Sequence, residues 1–385
     1  MSKSKLNKLI YNKYAFTILS SLISSSIIEF ILFHKYPFYS VGDNMFPLSM
    51  AFYYNYQPFY TNVNGGSVVN NLKSIIYSFF YFLFLNKYGE MMSFFVSMII
   101  GNSAISLLVY KNSIRLHVSP GIYQFVISIL SGMLLSSGLN LYYEILLLPS
   151  TFIPIYAVFP WVIYLLDSII NDKESLFTKF LEIVLAALLI ILFTGSVLTL
   201  VLPVYTTLGI LFAVLLIFSE MKIRRKLVLL CFSFIIVFLL NVISFLPEYF
   251  SALSYFPSHV GGNYYVTALK YYIQNFNGSA FNVLTLTYYP TKIISIFPEY
   301  YMLINVPFTI LIVLPILYLK YNNRSIYFAS LISFLLLGAW LSAPYLFSSY
   351  IDLYSKIPIM WSLDIPWLSF TYLLFLTASI AVGSG

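Results

Sequence analysis

The chain has 385 residues, of which 60% are hydrophobic and only 9% charged, and its mean hydropathy is +0.88. A soluble domain carries roughly 45–50% apolar residues, so that class is excluded. The formal net charge is +7, yet no basic block with interleaved aromatics occurs, which excludes nucleic acid as a partner.

The composition predicts an all-α, polytopic transmembrane protein, because several apolar runs approach the ~20 residues that cross a bilayer and lack the strict alternation of barrel strands. The basic N-terminus (Lys3, Lys5, Lys8, Lys13) resembles the flank of a signal peptide, but no small-residue cleavage site follows the apolar run from Ala15 to Phe33, so this run reads as a retained first span. Spans are predicted at about 15–34, 91–110, 121–141, 150–170, 180–196, 200–218, 227–247, 301–319, 325–346 and 368–385. That makes about ten, or eleven if the short segment Ile75 to Leu85 also crosses.

Charge decides that segment. If it does not cross, the N-terminus and the loops with Lys111 and Arg115, Lys173 and Lys179, Lys222 to Lys226, and Lys320 and Arg324 share the cytoplasmic side, which then holds fourteen of the twenty basic residues. Only Lys35, Lys73, Lys87, Lys270, Lys292 and Lys356 face outward. Residues 71–86 are therefore expected to lie along the outer interface, and external loops to cover about 35–90, 248–300 and 347–367. The whole chain reads as one plasma-membrane domain, and the lack of a basic anchor after Ser384-Gly385 suggests a native chain that continues further.

The outer loops hold most candidate chemistry. In Gly42-Asp43-Asn44-Met45-Phe46-Pro47, a flexible Gly and a rigid Pro bracket a carboxylate at the membrane rim; Asp43 there is either a catalytic group or the N-cap of a short interfacial helix. Glu29 lies deeper, one turn below the outer rim, and is either a structural partner or a site residue. Glu90 is a further outward acid. Asp172 and Glu174 are expected to be solvated, and Asp167 and Glu182 to snorkel to the inner surface.

His34, Lys35, Lys73, Lys87, His259, Lys270 and Lys292 are the outward groups available to a lipid phosphate. Asn277-Gly278-Ser279 fits a glycan-acceptor pattern on the outer side. His34, His117 and His259 are far apart in sequence, no paired carboxylates occur, and phosphate-binding glycine loops are absent, so neither a metal nor a nucleotide cofactor is expected. The single cysteine, Cys231, sits in an apolar run and is expected to pack.

Gly42-Asp43 with Phe46-Pro47-Leu48, Gly65-Gly66, Tyr88-Gly89, Thr194-Gly195-Ser196 and the stretch from Ile357-Pro358 to Asp364-Ile365-Pro366 together resemble the GT-C superfamily of membrane glycosyltransferases, and within it the arabinofuranosyltransferase D-like and YfhO-like branch. The last stretch lacks the Arg common in that family and carries an inserted Ile. The resemblance implies transfer of a sugar from a polyprenyl-phosphate donor to a cell-surface glycan or glycoprotein on the outer face, inverting, with Asp43 as general base. Two other classes remain open. One is a transporter or lipid flippase using Glu29 and the interrupted stretch from Thr194 to Pro203, and the other is a non-catalytic anchor subunit of a surface assembly.

Overall fold

A computed structural model describes residues 12–33, 60–63, 66–69, 89–136, 149–172, 174–194, 198–240, 280–286, 305–318, 325–347, 349–350 and 366–385. Helices dominate them: α1 (Lys13–Phe33), α2 (Gly89–Arg115), α3 (Ile122–Ser136), α4 (Pro149–Asn171), α5 (Leu176–Thr194), α6 (Leu198–Phe218), α7 (223–240), α8 (Ala280–Leu284), α9 (Asn305–Val313), α10 (Ser325–Leu346) and α11 (Pro366–Ser384). Each of the ten predicted apolar runs overlaps one of these helices. Two of them are long and apolar enough to cross a membrane, over Phe94–Arg115 and Ser325–Ala343.

The expected all-α class describes this body, while the segment between α1 and α2 carries an antiparallel hairpin. Its strands β1 (Tyr60–Val63) and β2 (Gly66–Val69) flank the Asn64-Gly65 pair, with Val63 opposite Gly66. Residues 71–86, on which the topology argument turns, lie outside the described residues.

Local chemistry sets the helix ends. Asn12 caps α1, its side-chain oxygen accepting from the backbone N–H of Tyr14 (3.0 Å) and Ala15 (3.2 Å). Ser175 does the same for α5 through the N–H of Thr178, and Gln124 reaches back to the N–H of Gly121 before α3. At the end of α2, His117 takes the left-handed conformation (φ 56°), its N–H bonding Ile114 O and that of Val118 bonding Ser113 O. This is a Schellman closure with histidine where glycine usually sits. After α9 the ladder tightens to a 3-10 turn over Leu314–Tyr318, where Pro315 has no N–H to continue an α-helix.

The core forms around α1, α2, α3 and α11, with α4 behind α2 and α10 behind α11. Phe16 is fully buried against Tyr110 and Phe125, both edge-on. Small residues allow the closest approaches. A Cβ on Gly132 would fall 2.8 Å from Ser24 Oγ, and one on Gly383 2.8 Å from Val109 Cγ2. The small residues at the end of α11 thus serve packing: Ser379 Oγ donates to Ser131 O (2.7 Å) and Asn112 donates to Ser384 O (2.7 Å).

Helix α7 is different. It presents Phe234 (70% exposed) and Phe238 (56%) uncovered among the described residues, and Cys231 on it is exposed. The expected packing of Cys231 is therefore corrected: this helix turns the thiol away from the core.

Candidate functional site

Two polar regions occupy opposite halves of the helical body. The first is a seam of hydroxyls and amides between α1, α2 and α3. Asn102 Nδ2 lies 3.0–3.2 Å from the Oγ atoms of Ser24, Ser25 and Ser136, its two hydrogens shared among the three, while Ser20 and Ser128 Oγ both lie within hydrogen-bond distance of Ser106 Oγ. Pairings of Phe16 with Tyr110, Ser20 with Ser106, and Ser24 with Asn102 set α1 and α2 antiparallel in a steady register.

Glu29 continues the seam one turn beyond Ser25. Both of its carboxyl oxygens are buried and have no hydrogen-bond partner among the described residues. Sixteen residues separate it from Lys13 at the other end of α1, or about 24 Å at 1.5 Å per residue. A buried ionisable group without a partner among the described residues, in an apolar neighbourhood, is a candidate site residue.

The second region closes the other end. Lys111 and Arg115, one turn apart on α2, meet Asp167 and Asp172 at the end of α4. Arg115 binds Asp167 (2.7 Å) and Asp172 (2.8 Å), and Lys111 binds Asp172 (2.7 Å) and Asp167 (3.3 Å). Asn171 adds a bond to Asp167 (2.8 Å) and accepts one from Ser325 of α10 (3.1 Å). Lys111 also lies 4.9 Å from the centre of the Tyr164 ring. Two cations and two carboxylates balance in formal charge, which offsets the cost of burying the Asp167 side chain. Burial pulls the Asp172 carboxyl upward, but the bonds from Lys111 and Arg115 outweigh it and hold the group below its ordinary range.

This arrangement corrects two expectations. Asp167 does not snorkel: its side chain is 1% exposed and ion-paired. Asp172 is not merely solvated, because both of its oxygens are engaged by cations of α2. The sequence signal was the Lys111-Arg115 spacing of four, which puts both cations on one helix face.

Of the candidates for outward chemistry, Asp43, His34, Lys35, His259, Lys270 and Asn277 lie outside the described residues. Glu90 is in the first turn of α2, where only its backbone is described. The α1–α2 register sets Glu90 about two turns beyond the level of Glu29. Among the described residues no cluster of three or more His, Cys, Asp or Glu side chains could hold a metal. Comparison with protein-family models, curated proteins and solved structures gives no match in any of the three.

Proposed function

We propose that the chain is a multi-pass plasma-membrane protein, with its basic end on the cytoplasmic side, that transfers a sugar from a polyprenyl-phosphate donor to a glycan or glycoprotein acceptor on the outer face. The membrane part of this reading is supported by the exposed apolar surface of α7 and by the gathering of Lys111, Arg115, Lys179 and Arg225 at one end of the helices, in keeping with the positive-inside tendency.

The observation that carries the outward site is Glu29. Its carboxyl, without a partner among the described residues, lies in the half of α1 nearer in sequence to Gly42-Asp43 and opposite the end that meets Lys111 and Arg115. In the proposed step, Asp43 takes the proton of the acceptor hydroxyl as its oxygen bonds to the anomeric carbon. The bond from that carbon to the phosphate oxygen breaks, and its electron pair leaves with the polyprenyl phosphate. Lys35, His259 and Lys270 are the candidates to meet the departing charge, with no cofactor beyond the lipid-linked donor.

Transfer from a lipid-linked sugar pool, measured in membranes containing wild type or Asp43→Asn, tests the assignment. Loss of roughly 10²–10⁴-fold at unchanged protein level is expected, and undiminished transfer refutes it.

The continuity of Glu29 with Ser25 and Asn102 also favours a second reading, a transporter or flippase with a polar midplane site. Under it, Glu29→Gln would abolish substrate movement in proteoliposomes and Asp43→Asn would not.

A further inference from the structure

At the charged end, an open cleft of about 1200 Å³ lies between the end of α6, the start of α7 and the α4–α5 junction, with Lys222, Arg224, Arg225, Lys179, Asn171 and Ser325 among its walls. The positive end of a helix dipole favours acidic side chains in the first turn. Helix α7 instead begins Lys222-Ile223-Arg224-Arg225-Lys226, with the backbone N–H groups of Arg225 and Lys226 closing on Lys222 O. Cations are stacked on a terminus that already repels them.

Some of that charge is satisfied internally. Lys226 donates to Ile217 O and Ser219 O at the end of α6, Lys179 donates to Ile169 O, and Asp172 answers Lys111 and Arg115. Arg225 bonds Glu174 O, but its Nε is buried and has no acceptor among the described residues. Lys222 and Arg224 make no side-chain hydrogen bond or ion pair among the described residues, although Glu174 and Glu220 also line the cleft. The cleft thus combines room, two free cations, an unfilled guanidinium donor and a helix N-terminus.

We propose that this cleft binds a phosphate-bearing anion, either the headgroup of an anionic lipid or a soluble phosphate ester. Lys222 and Arg224 supply charge, the first free N–H groups of α7 complete the cradle, and Arg225 adds a directed hydrogen bond once its guanidinium turns its buried Nε–H toward the ligand. The site is independent of the outward chemistry around Asp43.

The test uses the full chain in phosphatidylcholine nanodiscs, titrated with pyrophosphate, beside nanodiscs with one fifth phosphatidylglycerol and no added anion; thermal shift and retained lipid by native mass spectrometry are the readouts. Stabilisation by pyrophosphate names a soluble ester, and stabilisation by phosphatidylglycerol alone names a lipid. Arg224→Gln should weaken the effective anion about tenfold. Lys13→Gln, which removes one charge outside the cleft, should leave it unchanged. No response in either arm, or equal weakening by Lys13→Gln, overturns the proposal.

Discussion

Arg115 and Asp167 are 52 residues apart in the chain and meet at 2.7 Å, where the guanidinium of α2 meets an almost fully buried carboxylate of α4. Their pairing, doubled by Lys111 and Asp172, fixes the charged end of the body. Removing one partner leaves an uncompensated charge. Asp167→Leu or Arg115→Met alone should each cost about 3–5 kcal/mol of stability, and the double variant much less than their sum. Thermal unfolding of the four proteins of this cycle in one detergent provides the check.

Asp172 sets an acid limit. Its folded pKa lies below the ordinary value of 3.8, so its stabilising contribution is fully present above that value and is lost as pH falls through the lowered one. Wild type should lose stability below about pH 4, and Asp172→Asn should show a shallower loss over that window. Melting temperatures between pH 3 and 7 report the difference.

A methyl group at Gly132 has nowhere to go, since Ser24 Oγ at 2.8 Å and Asn102 Cγ at 3.1 Å occupy its position. Gly132→Ala should destabilise by about 1–3 kcal/mol, and Ser24→Gly in the same chain should recover part of the loss. Denaturant titration of both variants measures it.

His117 holds a left-handed backbone, and its side chain makes no hydrogen bond among the described residues. His117→Gly should stabilise by about 0.5–1 kcal/mol, because relief of the αL strain exceeds the added freedom of glycine in the unfolded chain. A small rise in melting temperature is the expected readout.

Cys231 is exposed among apolar side chains of α7. An apolar maleimide should label it in intact membranes while a charged methanethiosulfonate should not. Equal reaction with both reagents would place this face in water.

Much of the helical layout was legible because apolar runs carry their own length: the expected 325–346 run and α10 (Ser325–Leu346) coincide. Glu29 was legible as a costly acid, since an apolar neighbourhood is visible along the chain. The ion pairs of Asp167 were not. Sequence reveals that the group lies near a helix end, but which face it occupies, and which helix stands opposite, depends on packing between segments more than fifty residues apart. The same holds for the seam, where Ser24, Asn102 and Ser136 look like scattered hydroxyls and an amide until three helices converge. Asp43 stood out through its Gly-Pro bracket, a local signal that says nothing of what faces it.

The bonds of α11 bear on the order of assembly during synthesis. Ser379 and Ser384 reach back 248 and 272 residues to Ser131 and Asn112. Helices α1, α2 and α3 are made first, and several of their serine hydroxyls can be satisfied within their own helix by carbonyls three or four residues back, as with Ser20, Ser24 and Ser106. The Asn102 side chain reaches across to Ser24, Ser25 and Ser136 instead, so its hydrogen bonds form only once α2 has paired with α1 and α3. The groove that receives α11 therefore stays unfilled until residues 366–384 have been made, so the body closes last at the helix that is synthesised last.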